Sequence, residues 1–155
     1  MPVARQASRE DVLDIAGRVF AERGFGETSL RQLISETGMS PTAFYARYPS
    51  KQAVLEALVQ RVLSQIFMST STALARAKSV DQAVAGIGAV LQSAVVGHKP
   101  VIRLIMTEAP VLPAVRDALR GAYGGLAGLV STYLAKQRVP NPEAGGWLYH
   151  QSWGS

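Results

Sequence analysis

Between Thr28 and Lys51 the sequence sets hydroxyls and cations where helices begin. Thr28, Ser29 and Arg31 stand at one predicted helix start, and Ser50 with Lys51 at another. The first four N–H groups of a helix have no intrahelical partner and carry partial positive charge. A cation there is unfavourable by roughly 0.3–1 kcal/mol. The same helix end, with a hydroxyl and a cation beside it, is well suited to gripping a phosphate oxygen. Between the two starts lies a short segment carrying Ser40, Thr42, Tyr45 and Arg47, and residues 37–55 contain no acid. One such lysine alone would read as a solvated surface charge. Two adverse cations bracketing an acid-free helix favour phosphate contact.

Other chemistries find little support. The chain has no cysteine, which excludes a disulfide framework and any Cys-ligated metal site. Its two histidines, His98 and His150, are far apart, and Glu108 and Asp117 are the central acids. Neither a nucleophile–base pair nor a metal-ligand spacing results. The expectation is a protein that is not an enzyme, with no cofactor and no metal.

The charge balance narrows this further. The 155 residues carry a formal net charge of +5. Residues 1–60 hold seven basic and seven acidic groups, whereas residues 61–155 hold nine and four. Bulk charge therefore does not explain the candidate phosphate surface. What matters is the sorting of Arg5, Arg9, Arg31, Arg47 and Lys51 onto one face. With 17% charged and 48% hydrophobic residues, the chain is a folded, rather apolar one. The uncharged stretches Gln82 to Gly97 and Gly121 to Ala135 fall short of the ~20 residues that span a bilayer. The N-terminus shows no secretory pattern, so a cytoplasmic location is expected.

The elements that must position these residues are all helical. Ser8 opens a first helix through a capping box with Asp11. Its stripe of Val12, Ile15, Ala16, Val19 and Phe20 faces a core, and Gly24 ends it. A second helix starts with Thr28 as N-cap and runs to Gly38. The turn Gly38-Met39-Ser40 leads to a third, with Pro41 at its first position, that stops before Pro49. Ser50 caps a long fourth helix bearing Val54, Leu55, Leu58, Val62 and Ile66. A second capping box from Ser79 to Gln82 opens a fifth, closed by Gly97. His98-Lys99-Pro100 connects to a short helix ending near Glu108, and a last long helix covers roughly residues 113–137. Asn141-Pro142-Glu143 resembles the start of one more. Short helices two and three, joined by a glycine turn, read as a helix-turn-helix or as part of an ordinary small bundle.

Residues 8–55 resemble the N-terminal domain of TetR/AcrR-type transcriptional regulators. The likeness runs through Ile15-Ala16 and Phe20-Ala21-Glu22-Arg23-Gly24-Phe25, then Thr28-Ser29-Leu30-Arg31. It continues through Gly38-Met39-Ser40, Phe44-Tyr45 and Tyr48-Pro49-Ser50-Lys51. The resemblance implies an all-α protein with a helix-turn-helix domain over 1–49, its motif at about 29–48. A long helix would join it to a helical ligand-binding and dimerisation domain over 50–155. It further implies that Thr28, Ser40, Tyr45 and Lys51 contact the DNA backbone. Pro41, Thr42, Ala43 and Arg47 would face base edges or adjacent phosphates, while Ser29 and Arg31 remain phosphate candidates from their place at the helix start. Phe44 and Tyr48 would hold the recognition helix. Thr42 and Ala43 replace the usual Gly-Thr pair, Ala46 a frequent Arg and Arg47 a frequent His. Arg47, a permanent cation with a guanine-reading fork, is expected to contribute specificity or a phosphate contact.

Arg103 to Pro110 followed by Pro113 is similar to the middle of the ligand-binding domain of AcrR-like members. That likeness implies a homodimer on a near-palindromic DNA operator and release by a small apolar effector. Candidate pocket residues are Phe67, Met68, Leu91, Val95, Ile102, Met106 and Tyr123, although an apolar stripe at helical spacing is more often core than pocket. Gly121, Gly124, Gly125 and Gly128 suggest either close helix packing or room for a ligand. In the family two complete helices pair between subunits, and residues 141–155 would supply only the start of the first. A shortened product, or dimerisation by another surface, is then expected, with Trp147, Leu148 and Trp153 available to an interface. The alternative reading is a helical membrane-surface or partner-binding protein without DNA-binding activity.

Overall fold

The computed structural model describes residues 9–138, which form seven α-helices with no strand among them. In chain order they are α1 (Arg9–Arg23), α2 (Leu30–Thr37), α3 (Pro41–Arg47), α4 (Lys51–Arg76), α5 (Val80–Gly97), α6 (Lys99–Glu108) and α7 (Pro113–Arg138). Ser8, with its expected cap, and residues 139–155, with Trp147, Leu148 and Trp153, lie outside the described residues.

Helix ends follow the local chemistry closely. Gly24 ends α1 at φ 88°, donating its N–H to Phe20 O at 2.8 Å. A left-handed backbone of this kind carries no side-chain penalty in glycine. The N-cap of α2 is Ser29, which corrects the assignment to Thr28. Ser29 Oγ accepts the Gln32 N–H at 3.1 Å while Gln32 Oε1 accepts the Ser29 N–H at 2.9 Å. The reciprocal pair needs an amide or carboxylate three residues on, and Gln32 supplies it to Ser29. Gly38, at φ 67°, closes α2. Ser40 Oγ accepts the Ala43 N–H at 3.2 Å, and Pro41 occupies the first turn of α3. Ser50 Oγ likewise accepts the Ala53 N–H at 3.0 Å and starts α4.

The apolar stripe of α1 buries Val12, Leu13, Ala16, Val19 and Phe20. Against it lie Leu33 of α2, Phe44 of α3, and Val54, Leu55, Leu58, Val59 and Val62 of α4. Helix α6 closes the far side with Val101, Leu104 and Ile105, and Val115 of α7 joins the same cluster. Lys99 is already helical, so the expected connector is shorter and Pro100 sits in the first turn, where its missing N–H costs nothing.

The second half of α4 packs on α5 and α7 and buries Thr70 and Leu74. Ser79 caps α5 by accepting the Gln82 N–H at 3.2 Å, while Gln82 Oε1 takes the N–H of Lys78. Tyr133 of α7 donates its hydroxyl to Ser79 O at 2.9 Å, fixing the end of α7 beside the start of α5. Of the four glycines of α7, only Gly125 meets a neighbour closely: a methyl there would lie 3.3 Å from the Phe67 ring.

Tyr48 caps α3 with its ring 5.8 Å from that of Phe44. Its hydroxyl is buried and has no hydrogen-bond partner among the described residues, a state that costs about 1–3 kcal/mol. Tyr48→Phe keeps the ring and removes the orphan oxygen. Thermal unfolding is expected to show a midpoint raised by roughly 2–4 °C. An unchanged or lower midpoint would show that the hydroxyl is satisfied.

Candidate nucleic-acid interface

Three caps set the geometry of the candidate surface. Ser29 and Arg31 are exposed where α2 begins, and Ser40, Pro41, Thr42, Tyr45 and Arg47 are exposed along α3. Ala43 is half-buried. A helix advances 3.6 residues per turn, so burial of Phe44 and Tyr48 turns Thr42 and Ala46 directly outward. Tyr45 lies on one flank of that outer face, half exposed at 50%. Arg47 lies on the other flank, beside α4, and lines a crevice of ≈ 500 Å³ with Tyr48, Glu56, Gln60 and Arg61. The outermost surface of α3 is thus made of small side chains, through which a helix can approach a groove closely. Ala46 belongs to that surface, and its position one turn from Thr42 is the sequence signal for it.

Three acids of this half, Asp14, Glu22 and Glu36, are paired with arginines away from α3. Glu36 lies 3.5 Å from Arg18 and 3.6 Å from Arg23, and Glu22 lies 3.8 Å from Arg18. Asp14 accepts from Arg61 at 2.7 Å. These exposed pairs add little stability. Their effect is positional, because they balance Arg18 and Arg23 locally and leave Arg31 on the hydroxyl-bearing side of α2.

Two expected backbone ligands are placed differently. Thr28 is 1% exposed, and its Oγ1 donates to Gly24 O at 2.7 Å. That corrects its assignment as a surface contact: the threonine is spent closing the α1–α2 turn. Lys51 is half-buried, and its Nζ donates to Phe25 O at 2.6 Å while standing 4.4 Å from the Phe25 ring centroid.

The expected effector residues separate into two groups. Phe67, Met68 and Leu91 line an open groove of ≈ 870 Å³ between α4 and α7, with Leu63, Gly121 and Leu126. Val95, Ile102, Met106 and Tyr123 do not line it, which corrects the expected seven-residue pocket. Tyr123 is two residues from both Gly121 and Gly125, hence on the opposite side of α7, and is 78% exposed. Met106 is 71% exposed because Leu104 and Ile105 take the inner face of α6. Val95 is exposed on α5, and Ile102 is half-buried on α6.

The profile described as "Bacterial regulatory proteins, tetR family" matches residues 12–58, the stretch that builds this surface. Residues 12–58 thus carry the pattern of the TetR-family N-terminal domain. It is 29% identical over 110 residues to the uncharacterized HTH-type transcriptional regulator YerO of Bacillus subtilis, covering 64% of this chain and 35% of that one. It is 29% identical over 63 residues to the HTH-type transcriptional repressor KstR2 of Rhodococcus jostii, covering 41% of this chain and 31% of that one. The chain therefore spans about a third of the length of these curated relatives. In fold it is similar to the TetR family transcriptional regulator PfmR of Thermus thermophilus. The TM-score is 0.71 at 20% identity, over 86% of this chain and 74% of that one. These relatives are named as regulators of transcription, not as enzymes.

The placement of Thr28 makes a direct prediction. Thr28→Val keeps the shape and removes a buried hydrogen bond, so unfolding in urea should show a loss of about 1 kcal/mol. The salt dependence of DNA binding should be unchanged. A fall of the log–log salt slope by about one would return Thr28 to the list of phosphate ligands.

Proposed function

We propose that the chain is a regulator of transcription that binds double-stranded DNA through α2 and α3. The observation that carries this reading is the exposed surface of α3, free of acids from residue 37 to 55, set beside the exposed Ser29 and Arg31 of the α2 start by the caps at Ser29, Ser40 and Ser50. Ser29, Arg31, Ser40, Tyr45 and Lys51 stand for backbone contacts or their support. Pro41, Thr42, Ala43 and Arg47 stand for contacts in the major groove. Two copies would present their α3 helices to successive major grooves about 34–36 Å apart on a near-palindromic operator. KstR2, a relative, is named a repressor, which supports repression as the mode of action, in the cytoplasm.

The groove between α4 and α7 is the proposed effector site, lined by Phe67, Met68 and Leu91. It would take an apolar small molecule, with Gly121 and Gly125 leaving the space. Helix α4 continues from that groove to Ser50 and the end of α3, so a ligand that prefers one tilt of α4 changes the placement of the reader. Residues 1–49 read DNA and residues 50–155 respond and dimerise in this account, although one apolar core joins α1 to α7 across that division. A second reading rests on α5, whose Val84, Leu91, Val95 and Val96 are exposed. By length and composition this helix could also cross a membrane. Flotation with lipid vesicles in place of DNA binding would select that reading.

The test is a mobility-shift series from low to moderate salt on the DNA preceding the protein's own coding sequence. A salt-sensitive complex that prefers this DNA over random duplex is expected. Arg31→Ala should lower the log–log salt slope by about 0.9, and Arg47→Ala should weaken discrimination between sequences. Absence of a sequence-preferring complex for the wild type at every salt concentration would overturn the reading.

A further inference from the structure

The lysine at the start of α4 has a second task, which its sequence position conceals. Lys51 Nζ makes a 2.6 Å hydrogen bond to Phe25 O and lies over the face of the same residue's ring, 4.4 Å from its centroid. Phe25 is otherwise buried, its ring edge-on to Phe20 at 5.2 Å. The same carbonyl closes the turn by accepting the Thr28 N–H at 3.4 Å, and Thr28 Oγ1 returns to Gly24 O at 2.7 Å. One ammonium therefore grips a backbone oxygen and an aromatic face together. Both contacts favour a cation, the first as a charge-assisted hydrogen bond and the second through the ring quadrupole.

Two segments distant in the chain are joined this way. Gly24 to Thr28 leads straight into Ser29, the cap of α2. Lys51 follows Tyr48, Pro49 and Ser50, the hinge between α3 and α4. A cation in the first turn of α4 works against the helix dipole, and the Phe25 carbonyl supplies the compensating negative end. We infer that Lys51 is a positioning residue, a clamp that sets the spacing between the α2 start and the recognition helix, and not a ligand of phosphate. Its effect on DNA binding rests on the function proposed above. Its effect on the turn does not.

The two roles are separable because a phosphate ligand releases counterions and a clamp does not. Lys51→Met keeps the length of the side chain and removes the charge. The clamp predicts an amide exchange rate at Thr28 and Ser29 about tenfold faster than in the wild type. It also predicts DNA affinity about tenfold weaker at fixed salt, with the log–log salt slope unchanged. A slope lower by about 0.9 with unchanged exchange in the turn would make Lys51 a phosphate ligand and overturn the clamp. In the wild type alone, the Lys51 side-chain methylene protons beside the ring should resonate upfield of those of the exposed Lys78. Ordinary shifts there would overturn the clamp even if the variant fails to fold. If the wild type binds no DNA, the proposed function fails, and the exchange and chemical-shift measurements still decide the clamp.

Discussion

The described helices are arranged around α4, a single uninterrupted helix shared by two sets of neighbours. Its first half contributes Val54, Leu55, Leu58, Val59 and Val62, each 1% exposed or less, to the core beneath the candidate interface. Its second half packs on α5 and α7 and forms one wall of the open groove. At roughly 25 cal/mol per Å², burial of that first stripe makes the start of α4 hard to move independently of α1 and α3. The helix is the rigid element through which events at Phe67 and Met68 would be felt at Ser50.

Around this spine, small polar contacts decide where the short helices point. An eight-residue and a seven-residue helix have little stability of their own. Ser29 with Gln32, Ser40 with the Ala43 N–H, and the hydroxyl of Thr28 on Gly24 O fix their ends. Phe44 and Tyr48 fix their depth, and Lys51 ties the first turn of the domain to the last. The result is an outer face of Thr42 and Ala46 flanked by Tyr45 and Arg47, presented by elements that cannot easily rotate. Rigid presentation of that kind is what reading a groove requires.

Much of the fold is legible in the sequence. Period and punctuation place all seven helices of the described residues, because Gly24, Gly38, Pro49 and Pro113 are strong local signals with fixed backbone consequences. The cap of α2 is ambiguous there for a simple reason: Thr28 and Ser29 both cap helices well, and only the partner at Gln32 distinguishes them. Tertiary partners are the illegible part. A threonine that buries itself under a turn looks the same in sequence as one that faces a phosphate, and so does a lysine that reaches back to Phe25. On α7, Tyr123 is apolar enough to suggest a pocket, yet its two-residue offset from Gly121 and Gly125 turns it to the opposite side.

The central claim is that DNA meets this protein at the α2 start and the outer face of α3, and nowhere along the groove or α5. Backbone amide chemical-shift mapping by NMR during titration with a short duplex from the upstream region tests it most directly. Changes are expected at Ser29 to Arg31 and Ser40 to Arg47, with the residues around Phe67 and Leu91 left in place. Changes centred on α5, or absent from residues 29–47 at saturating duplex, would contradict it.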